Sequence, residues 1–229
     1  MALYVLGDPH LSLRSQKPMD VFGGAWIGYM DKLRAGLSVL KPEDTIVLAG
    51  DLSWGMSLEE ATEDFAFLDS FPGRKLIVKG NHDYWWTTAN KTYTFWAQQG
   101  FTTLNLLHNN CYEYGEYALC GTRGWFLDED KNGHNQKVFN RELMRLETSL
   151  KAAGERPKLV FLHYPPLYQG YRCQEILDLL ERYQVKACYY GHLHGGSHRL
   201  TLEGIHGSVE YHLIAGDFLG FHPLKICEN

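Results

Sequence analysis

Five short clusters of aspartate, asparagine and histidine are spread along most of the 229-residue chain. In chain order they are Asp8-Pro9-His10, Gly50-Asp51, Gly80-Asn81-His82-Asp83, His163 and Gly191-His192-Leu193-His194. Most of them follow a short apolar run that is rich in β-branched residues, which is the pattern of a buried strand. One such cluster would mean little, because Asp and His are common in loops. Five in series indicate one site built from distant segments of the chain.

The residue types in these clusters favour a transition-metal site. Imidazole nitrogen suits Zn, Mn, Fe, Co or Ni, while carboxylate and amide oxygens suit harder divalent cations. No cysteine lies in the clusters, which favours a solvent-open catalytic site over a structural zinc site. The candidate ligands are too many for one four-coordinate ion and would suit two; they are Asp8, His10, Asp51, Asn81, His163, His192 and His194. Two ions about 3.5–4 Å apart can clamp the attacking and leaving oxygens of a phosphoryl displacement.

Each cluster also has a structural alternative. Asp8-Pro9-His10 and Gly50-Asp51 could be ordinary strand-ending turns. His163 precedes a proline-rich turn and could simply end a strand, because chain before proline tends to be extended. Residues 191 to 196 could be a flexible loop. The order of all five clusters together argues against this set of coincidences.

That order, Asp-x-His, Gly-Asp, Gly-Asn-His-Asp, His, Gly-His-x-His, resembles the calcineurin-like metallophosphoesterase superfamily, and the match runs from Asp8 to His194. The Gly-Asn-His-Asp block is similar to that of the small bacterial phosphohydrolase and phosphodiesterase branch. The resemblance implies an α/β (α+β) fold, a four-layer α-β-β-α sandwich of two mixed sheets flanked by helices. It also implies two divalent metal ions as cofactors (Mn, Fe, Zn or Ni) and hydrolysis of a phosphomonoester or phosphodiester by a metal-activated hydroxide.

The resemblance also implies a role for each cluster. The first ion would be held by Asp8, His10, Asp51 and His194. Asp51 would bridge to a second ion, which would be completed by Asn81, His163 and His192. His82 would not be a ligand; it would face the phosphate and protonate or stabilise the leaving oxygen. Asp83 would orient the His82 imidazole and support its charged form.

Candidate substrate-binding residues lie beside the clusters. Protein serine/threonine phosphatases of the superfamily extend the second block with Asp-Arg-Gly, whereas this block continues to Trp54, which argues against that class. Arg123, just past a predicted strand, is the candidate replacement for the phosphate-binding arginine; the alternative is a solvated loop arginine. Trp54 and neighbouring aromatics could form a rim that stacks a nucleobase, although core packing explains most such residues. We expect a small phosphorylated substrate, with a nucleotide as one candidate.

Composition limits the partners and the location. A formal net charge of -5 gives no basic footprint for long nucleic acid. The cysteines, at 111, 120, 173, 188 and 227, show no metal-binding spacing, and their odd number suits a reducing cytosol. No signal-peptide pattern opens the sequence, and no apolar run approaches the ~18–20 residues of a membrane span. We therefore expect a cytoplasmic protein without a membrane partner, folded as a single domain over residues 1–229.

The predicted elements alternate between strand and helix and then become mostly strands. Strands are predicted at residues 2–7, 45–49, 75–79, 102–107, 111–115, 117–121, 158–162 and 187–190. Helices are predicted at 26–40, from a capping box at 57–60 to 70, and at 86–99, 136–153 and 172–183. A hairpin is predicted between 199–202 and 209–215. The clusters then lie at the C-terminal ends of central strands, where α/β folds collect ligands.

Two other functions stay open at this stage. A nuclease acting on nucleic-acid ends would use the same metal chemistry, but the net charge disfavours it. A non-catalytic metal-binding scaffold is the second alternative, since the superfamily fold also serves in protein assembly. Scaffold members typically lose ligands or the catalytic histidine, and this chain keeps both.

Overall fold

The computed structural model describes residues 1–15, 17–125 and 134–228. The helices in these ranges are α1 (Tyr29–Leu37), α2 (Thr62–Asp69), α3 (Ala89–Gln99), α4 (His134–Ala152) and α5 (Gln174–Arg182). The strands are β1 (Ala2–Leu6), β2 (Thr45–Ala49), β3 (Arg74–Val78), β4 (Leu104–Leu106), β5 (Cys111–Tyr114), β6 (Tyr117–Thr122), β7 (Lys158–Leu162), β8 (Leu167–Tyr168), β9 (Tyr171–Arg172), β10 (Val185–Tyr190), β11 (Gly204–His206), β12 (Val209–Leu213) and β13 (Leu224–Glu228).

Two large sheets carry the fold, and both are mixed. The first has the strand order β13-β1-β2-β3-β4, in which β1 to β4 are parallel and β13 is antiparallel at the edge. The second has the order β11-β12-β10-β7-β6-β5, in which the four inner strands are parallel and both outer strands are antiparallel. Strands β8 and β9 form a separate small hairpin.

The central strands are buried on both faces, which explains their continuous apolar sequences. In β2, Val47 lies in the core between the two sheets, whereas Ile46 and Leu48 lie in the core beneath the helices. In β7, Phe161 faces the first sheet and Leu162 faces the helices. Side chains alternate between the two faces of a strand, so a strand covered on both sides has no polar face.

The helices cover the outer faces of the sheets. Helices α1, α2 and α3 pack on the first sheet through residues such as Leu33, Phe65 and Trp96. Helices α4 and α5 pack on the second sheet through Leu146 and Leu180. The layers are therefore α-β-β-α, and the predicted fold class is confirmed. Among the residues described, no helix combines the length and the apolar character needed to cross a membrane.

Three helices start clearly later than the sequence predicts, and one of them is the helix predicted at 86–99, which begins at Ala89. One of the two capping-box contacts forms, since Glu60 N donates to Ser57 Oγ at 3.2 Å. The Glu60 carboxylate accepts from Met56 N at 2.9 Å, one residue before the N-cap position. Regular helix α2 nevertheless starts only at Thr62, after a series of turns. The predicted helix at 26–40 is shorter because a 3-10 turn, Gly24–Trp26, precedes it and Gly28 adopts a left-handed φ of 64°.

The predicted C-terminal hairpin is wrong in its first strand. Gly195–Leu200 forms a 3-10 helix, and β12 pairs instead with β11 across the turn after His206. The sequence patterns also fail to predict β13, which pairs antiparallel with β1. That strand lies at an edge and its residues are half-buried or exposed, so it lacks the apolar signal of the central strands.

Candidate metal centre

All five clusters meet at the carboxyl-terminal edges of the two sheets. Asp8, Asp51 and Asn81 follow the neighbouring parallel strands β1, β2 and β3. His163 and His192 follow the neighbouring parallel strands β7 and β10 of the second sheet. A backbone hydrogen bond of 2.7 Å, from Gly7 N to Ile214 O, joins the two edges. Strand ends in separate sheets therefore converge on one place.

Two groups of side chains present ligand atoms close enough to share an ion. Asp8, His10 and His194 form the first group, and Asp8, Asp51 and His163 form the second; within each group the ligand atoms lie within 4.8 Å of one another. Asp51 also spans the two groups. Its Oδ2 is 3.6 Å from His10 Nε2, and its Oδ1 is 3.6 Å from His163 Nε2.

The remaining two candidate ligands adjoin His163. Asn81 Oδ1 lies 2.7 Å from His163 Nε2. The His192 ring lies 5.1 Å from the His163 ring, measured between centroids, and His192 N donates to Asp8 Oδ2 at 3.0 Å. The structure thus brings every ligand predicted from the sequence into one continuous cluster.

Two buried polar atoms test whether this cluster fits metal ions. Asp8 Oδ1 and His194 Nε2 have no hydrogen-bond partner among the described residues, and they face each other at 3.7 Å. An unsatisfied buried polar group costs about 1–3 kcal/mol. A cation placed between a carboxylate oxygen and an imidazole nitrogen would satisfy both atoms. The donor set, two carboxylates, one amide and imidazoles, therefore fits divalent ions.

Burial keeps most of the candidate histidines in the form that binds metals. It is the largest cause that lowers the pKa of His163 and His192 to about 3 and the pKa of His10 well below its ordinary value. These imidazoles are therefore neutral at pH 7, with a free lone pair for coordination.

The pKa values of Asp8 and His194 are instead both raised. Burial raises the pKa of Asp8 to about 8, although the charge of His194 opposes this. Burial also acts to lower the pKa of His194, but Asp8 and then Asp217 outweigh it and raise that pKa to about 9. Because ligands must be deprotonated, metal binding at this pair must release a proton.

The backbone is strained at the same place. Asp8, His10, Asp51 and His192 adopt left-handed φ values of 53°, 45°, 50° and 71°. Such conformations cost of order 1–3 kcal/mol for residues other than glycine and persist only where the surroundings enforce them. Here the loops enforce them through backbone hydrogen bonds, such as His10 N to Asp51 O at 2.9 Å. Strain concentrated on candidate ligands is typical of a functional site.

Glycines in the clusters allow the ligand loops to touch, and one of them gives a test. A Cβ at Gly191 would overlap the Asp8 carboxylate. We expect Gly191→Ala to displace that carboxylate and weaken metal binding about tenfold or more, measured by competition with a chelator. Gly196→Ala is the matched control in the same loop, because a Cβ there meets nothing within 4 Å. Unchanged affinity in Gly191→Ala would contradict the place given to Asp8.

Asp83 lies behind the site and does not touch the His82 imidazole. Its Oδ1 accepts hydrogen bonds from Leu52 N at 2.8 Å and Trp85 Nε1 at 2.9 Å, and its Oδ2 accepts one from Gly80 N at 2.7 Å. Burial, with a contribution from Asp51, raises its pKa to about 7. The predicted orienting contact to His82 is therefore absent, because the Asp83 carboxylate is occupied by these backbone and indole donors. Asp83 instead ties the loops after β2 and β3 together.

His82 lies at the open side of the cluster. Its backbone N donates to Asp51 Oδ1 at 2.7 Å, and its ring lines a cavity of about 140 Å³. Its Nδ1 lies 3.3 Å from the Tyr84 hydroxyl; a hydroxyl that donates there would place the proton of the neutral imidazole on Nε2. Burial lowers the pKa of His82, although the charge of Asp51 opposes this. The other lining residues are His10, Met19, Phe22, Trp26, Asp51, Trp54, His192 and His194.

The two predicted substrate-binding residues occupy different positions. Trp54 lines the cavity; its ring stacks on His10 at 5.1 Å and lies 4.4 Å from the His82 ring. Arg123 follows β6, and its carbonyl accepts hydrogen bonds from the backbone N of His163 and Tyr164. Its guanidinium lies 5.8 Å from the Tyr164 ring. Arg123 is thus next to the His163 loop, whereas other residues line the cavity beside His82.

Asp217 is a residue of the site that the sequence interpretation missed. Its Oδ1 lies 2.8 Å from His194 Nδ1, and its Oδ2 accepts a hydrogen bond from Gly195 N at 2.9 Å and lies 3.2 Å from His198 Nε2. Burial acts to raise its pKa, but the hydrogen bond from His194 outweighs this and lowers it. Asp217 follows β12, a parallel neighbour of β10, so the strand-end rule could have found it.

We expect Asp217→Asn to weaken metal binding by about ten- to a hundredfold. A carboxylate behind a ligand histidine fixes the tautomer and direction of the ring and raises its basicity, and removing such partners has effects of this size. Metal titration of the stripped protein measures it. Glu210→Gln is the control, because Glu210 also pairs with a histidine, His212 at 3.3 Å, but on the exposed side of β12. Equal affinities in both variants would contradict the role of Asp217.

Comparison with known proteins agrees with the fold and the cluster. The model of the calcineurin-like phosphoesterase family matches residues 1–196, which include all five clusters. The chain therefore belongs to the calcineurin-like phosphoesterases, a family of metal-dependent phosphoric ester hydrolases. The resemblance inferred from the five clusters is confirmed.

Several known proteins are similar to the chain. The glycerophosphodiester phosphodiesterase GpdQ of Enterobacter lignolyticus (strain SCF1) is 27% identical over 170 residues, which cover 69% of this chain and 57% of that protein. The chain thus spans little more than half the length of this relative. The crystal structure of phosphopantetheinyl hydrolase (PptH) from Mycobacterium tuberculosis has a TM-score of 0.63 at 12% identity, covering 100% of this chain and 96% of that one. AQ665 from Aquifex aeolicus, a protein of unknown function, has a TM-score of 0.50 at 16% identity, covering 98% and 95%. At these identities the two structures show the fold alone.

Proposed function

We propose that this protein is a dinuclear metal-dependent phosphoesterase that hydrolyses a small phosphomonoester or phosphodiester. The observation that carries the proposal is the pair of ligand groups that share Asp8 and are spanned by the two oxygens of Asp51. One site would comprise Asp8, His10, Asp51 and His194. The second would comprise Asp51, Asn81, His163 and His192. Divalent ions held there would polarise the phosphoryl oxygens and lower the pKa of an attacking water.

His82 is the residue proposed to act on the leaving group. It lines the cavity, belongs to neither ligand group, and has its backbone fixed by Asp51. With the proton on Nε2, the imidazole can donate a hydrogen bond to the departing oxygen. Trp54 packs against the His82 ring and restricts its rotation. Asp83 would act indirectly, by holding the loop that carries His82.

Arg123 is proposed to contact the phosphate from the His163 side. Its backbone carbonyl binds the His163 loop, so its position is tied to that of a candidate ligand. A guanidinium can donate two parallel hydrogen bonds to phosphoryl oxygens. Arg123 would then make the phosphate contact that the arginine of Asp-Arg-Gly makes in the protein phosphatases of the family.

The substrate is proposed to be small. The cavity beside His82 has a volume of about 140 Å³, below the roughly 300–1,000 Å³ of sites that enclose drug-sized ligands. A diester is the first class to test, because the relative GpdQ is named for a glycerophosphodiester. The net charge of -5 disfavours long nucleic acid. The unpaired cysteines are in keeping with the cytoplasmic location proposed from the sequence.

A substrate panel tests the proposal. The protein, stripped of metal and reloaded with Mn, Zn, Fe(II) or Ni, is assayed with p-nitrophenyl phosphate, bis-p-nitrophenyl phosphate, glycerophosphoethanolamine, cyclic nucleotides and single-stranded DNA. Metal-dependent hydrolysis of the small esters supports the phosphoesterase. Hydrolysis of DNA ends alone would favour a nuclease. Two bound metals without hydrolysis of any substrate would favour a scaffold.

A further inference from the structure

The loop between the first cluster and α1 forms one wall of the cavity beside His82. Met19, Phe22 and Trp26 come from this loop and line the cavity. Trp26 is buried, whereas 57% of Phe22 is exposed, so the wall runs from the interior to solvent. None of the five clusters lies in this loop, and the roles assigned above leave it without a function.

Lys17 brings a positive charge next to this wall, because it lines an adjacent groove that shares Met19 and Trp26 with the cavity. Its Nζ lies 3.2 Å from the centroid of the Trp54 ring, and that ring lies 4.4 Å from the His82 ring. The ammonium is therefore one aromatic ring away from the imidazole proposed to face the leaving group. The Lys17 backbone and the Trp54 ring are both held in place. The Lys17 carbonyl accepts a hydrogen bond from Ser12 Oγ at 2.9 Å, and Trp54 Nε1 donates one to Met19 Sδ at 3.2 Å.

The charge of Lys17 is not neutralised within the described part of the chain, where it forms no ion pair. Asp20 lines the same groove as Lys17, but no ion pair joins the two side chains in the described structure. Asp217 is paired with His194, and Asp64 accepts hydrogen bonds from the Ser53 hydroxyl and Leu13 N. Contact with the face of an indole stabilises a cation but does not cancel its charge. An ammonium held against an aromatic ring that lines the cavity, and not paired with a carboxylate, attracts anions.

We propose that Lys17 and the wall formed by Met19, Phe22 and Trp26 are the leaving-group subsite, selecting a flat or apolar leaving group that carries an anionic substituent. This inference rests on the proposed phosphoesterase function and adds the specificity of that function for the leaving group. In the reaction the oxygen of water bonds to phosphorus and the bond between phosphorus and the leaving oxygen breaks. The leaving oxygen takes the proton of His82 Nε2, and the proton that the water gives up restores it, so the net products are the phosphate and the free alcohol or phenol. The released alcohol would then lie against Trp54, with its anionic substituent near the ammonium.

Two aryl esters of equal size test the subsite. We compare kcat/KM for 4-carboxyphenyl phosphate with kcat/KM for 4-carbamoylphenyl phosphate, whose leaving groups differ in charge. The ratio should be about fivefold lower in Lys17→Gln than in the wild type at low salt, the size expected for an exposed charge pair. Comparing the ratio between variants cancels the intrinsic reactivity of the two esters. Lys17→Arg should keep the ratio, and the wild-type ratio should fall as ionic strength rises.

Lys32→Gln is the matched control. Lys32 is a half-buried cation of the neighbouring helix α1, and its Nζ donates to Ala25 O at 3.0 Å. It should keep the wild-type ratio. The same ratio in the wild type and Lys17→Gln would overturn the subsite while leaving the phosphoesterase intact. If the metal-loaded wild type hydrolyses neither ester, the same ratio is measured with the corresponding methyl phosphodiesters. A wild type that hydrolyses none of these esters and no small ester of the panel would overturn the proposed function and the subsite with it.

Discussion

Asp51→Asn is expected to lose its bound metal ions and at least about a thousandfold in turnover together. The two oxygens of Asp51 lie 3.6 Å from His10 Nε2 and 3.6 Å from His163 Nε2, so one carboxylate serves both proposed ion sites. Asparagine keeps the shape of the side chain and tolerates the left-handed φ of 50°. The substitution therefore removes charge with little change in the backbone. Metal analysis after gel filtration, combined with kcat on the best substrate of the panel, measures both losses.

The stability of the metal-free protein separates this loss from misfolding. Burial raises the pKa of Asp51, so the charged carboxylate is unfavourable in the folded state without a cation. Asp51→Asn should therefore unfold at the same temperature as the stripped wild type or higher. Asp31→Asn, in an exposed position of α1, is the control and should keep both metal and activity. Two ions retained by Asp51→Asn would refute the bridging assignment.

The ligand cluster could be predicted from the sequence because each ligand follows a strand that is buried on both faces. Such strands have continuous apolar sequences, and parallel neighbours end at the same edge of a sheet. The same rule extends to Asp217, which follows β12. That residue was missed because Gly216-Asp217 lies outside the five-block order that singled out the equally simple pair Gly50-Asp51, and because it comes four residues after the end of β12.

Other parts of the site depend on tertiary contacts that no local pattern encodes. The Asp83 carboxylate accepts from backbone amides of two loops, Leu52 N and Gly80 N among them, although its sequence position next to His82 predicts a partner for that ring. Lys17 and Trp26 lie in a loop without periodicity, and only the folded chain brings them to Trp54 and His194. Edge strand β13 likewise has too little buried surface to be predicted.

His82→Ala is expected to lower turnover about 10²- to 10⁴-fold for esters with poor, high-pKa leaving groups, and less than about tenfold for p-nitrophenyl esters. An alkoxide needs a proton or a hydrogen bond as it departs, whereas nitrophenolate is stable without one. The His82 ring faces the cavity but belongs to neither group of ligand atoms, so both ions should be retained. Steady-state kinetics across a series of aryl and alkyl esters, with metal analysis of the same samples, measures both effects.

Tyr84→Phe is the companion variant, because it removes the hydroxyl 3.3 Å from His82 Nδ1 but keeps the imidazole. If that hydroxyl holds the proton on Nε2, Tyr84→Phe should show the same dependence on leaving group with a smaller loss, about tenfold or less. An equal loss on activated and unactivated esters in His82→Ala would instead mean that His82 stabilises the phosphoryl group itself. The backbone N of residue 82 donates to Asp51 at 2.7 Å, and this bond joins the His82 loop to the ligand that spans both sites. Loss of an ion from His82→Ala would mean that this hydrogen bond depends on the His82 side chain.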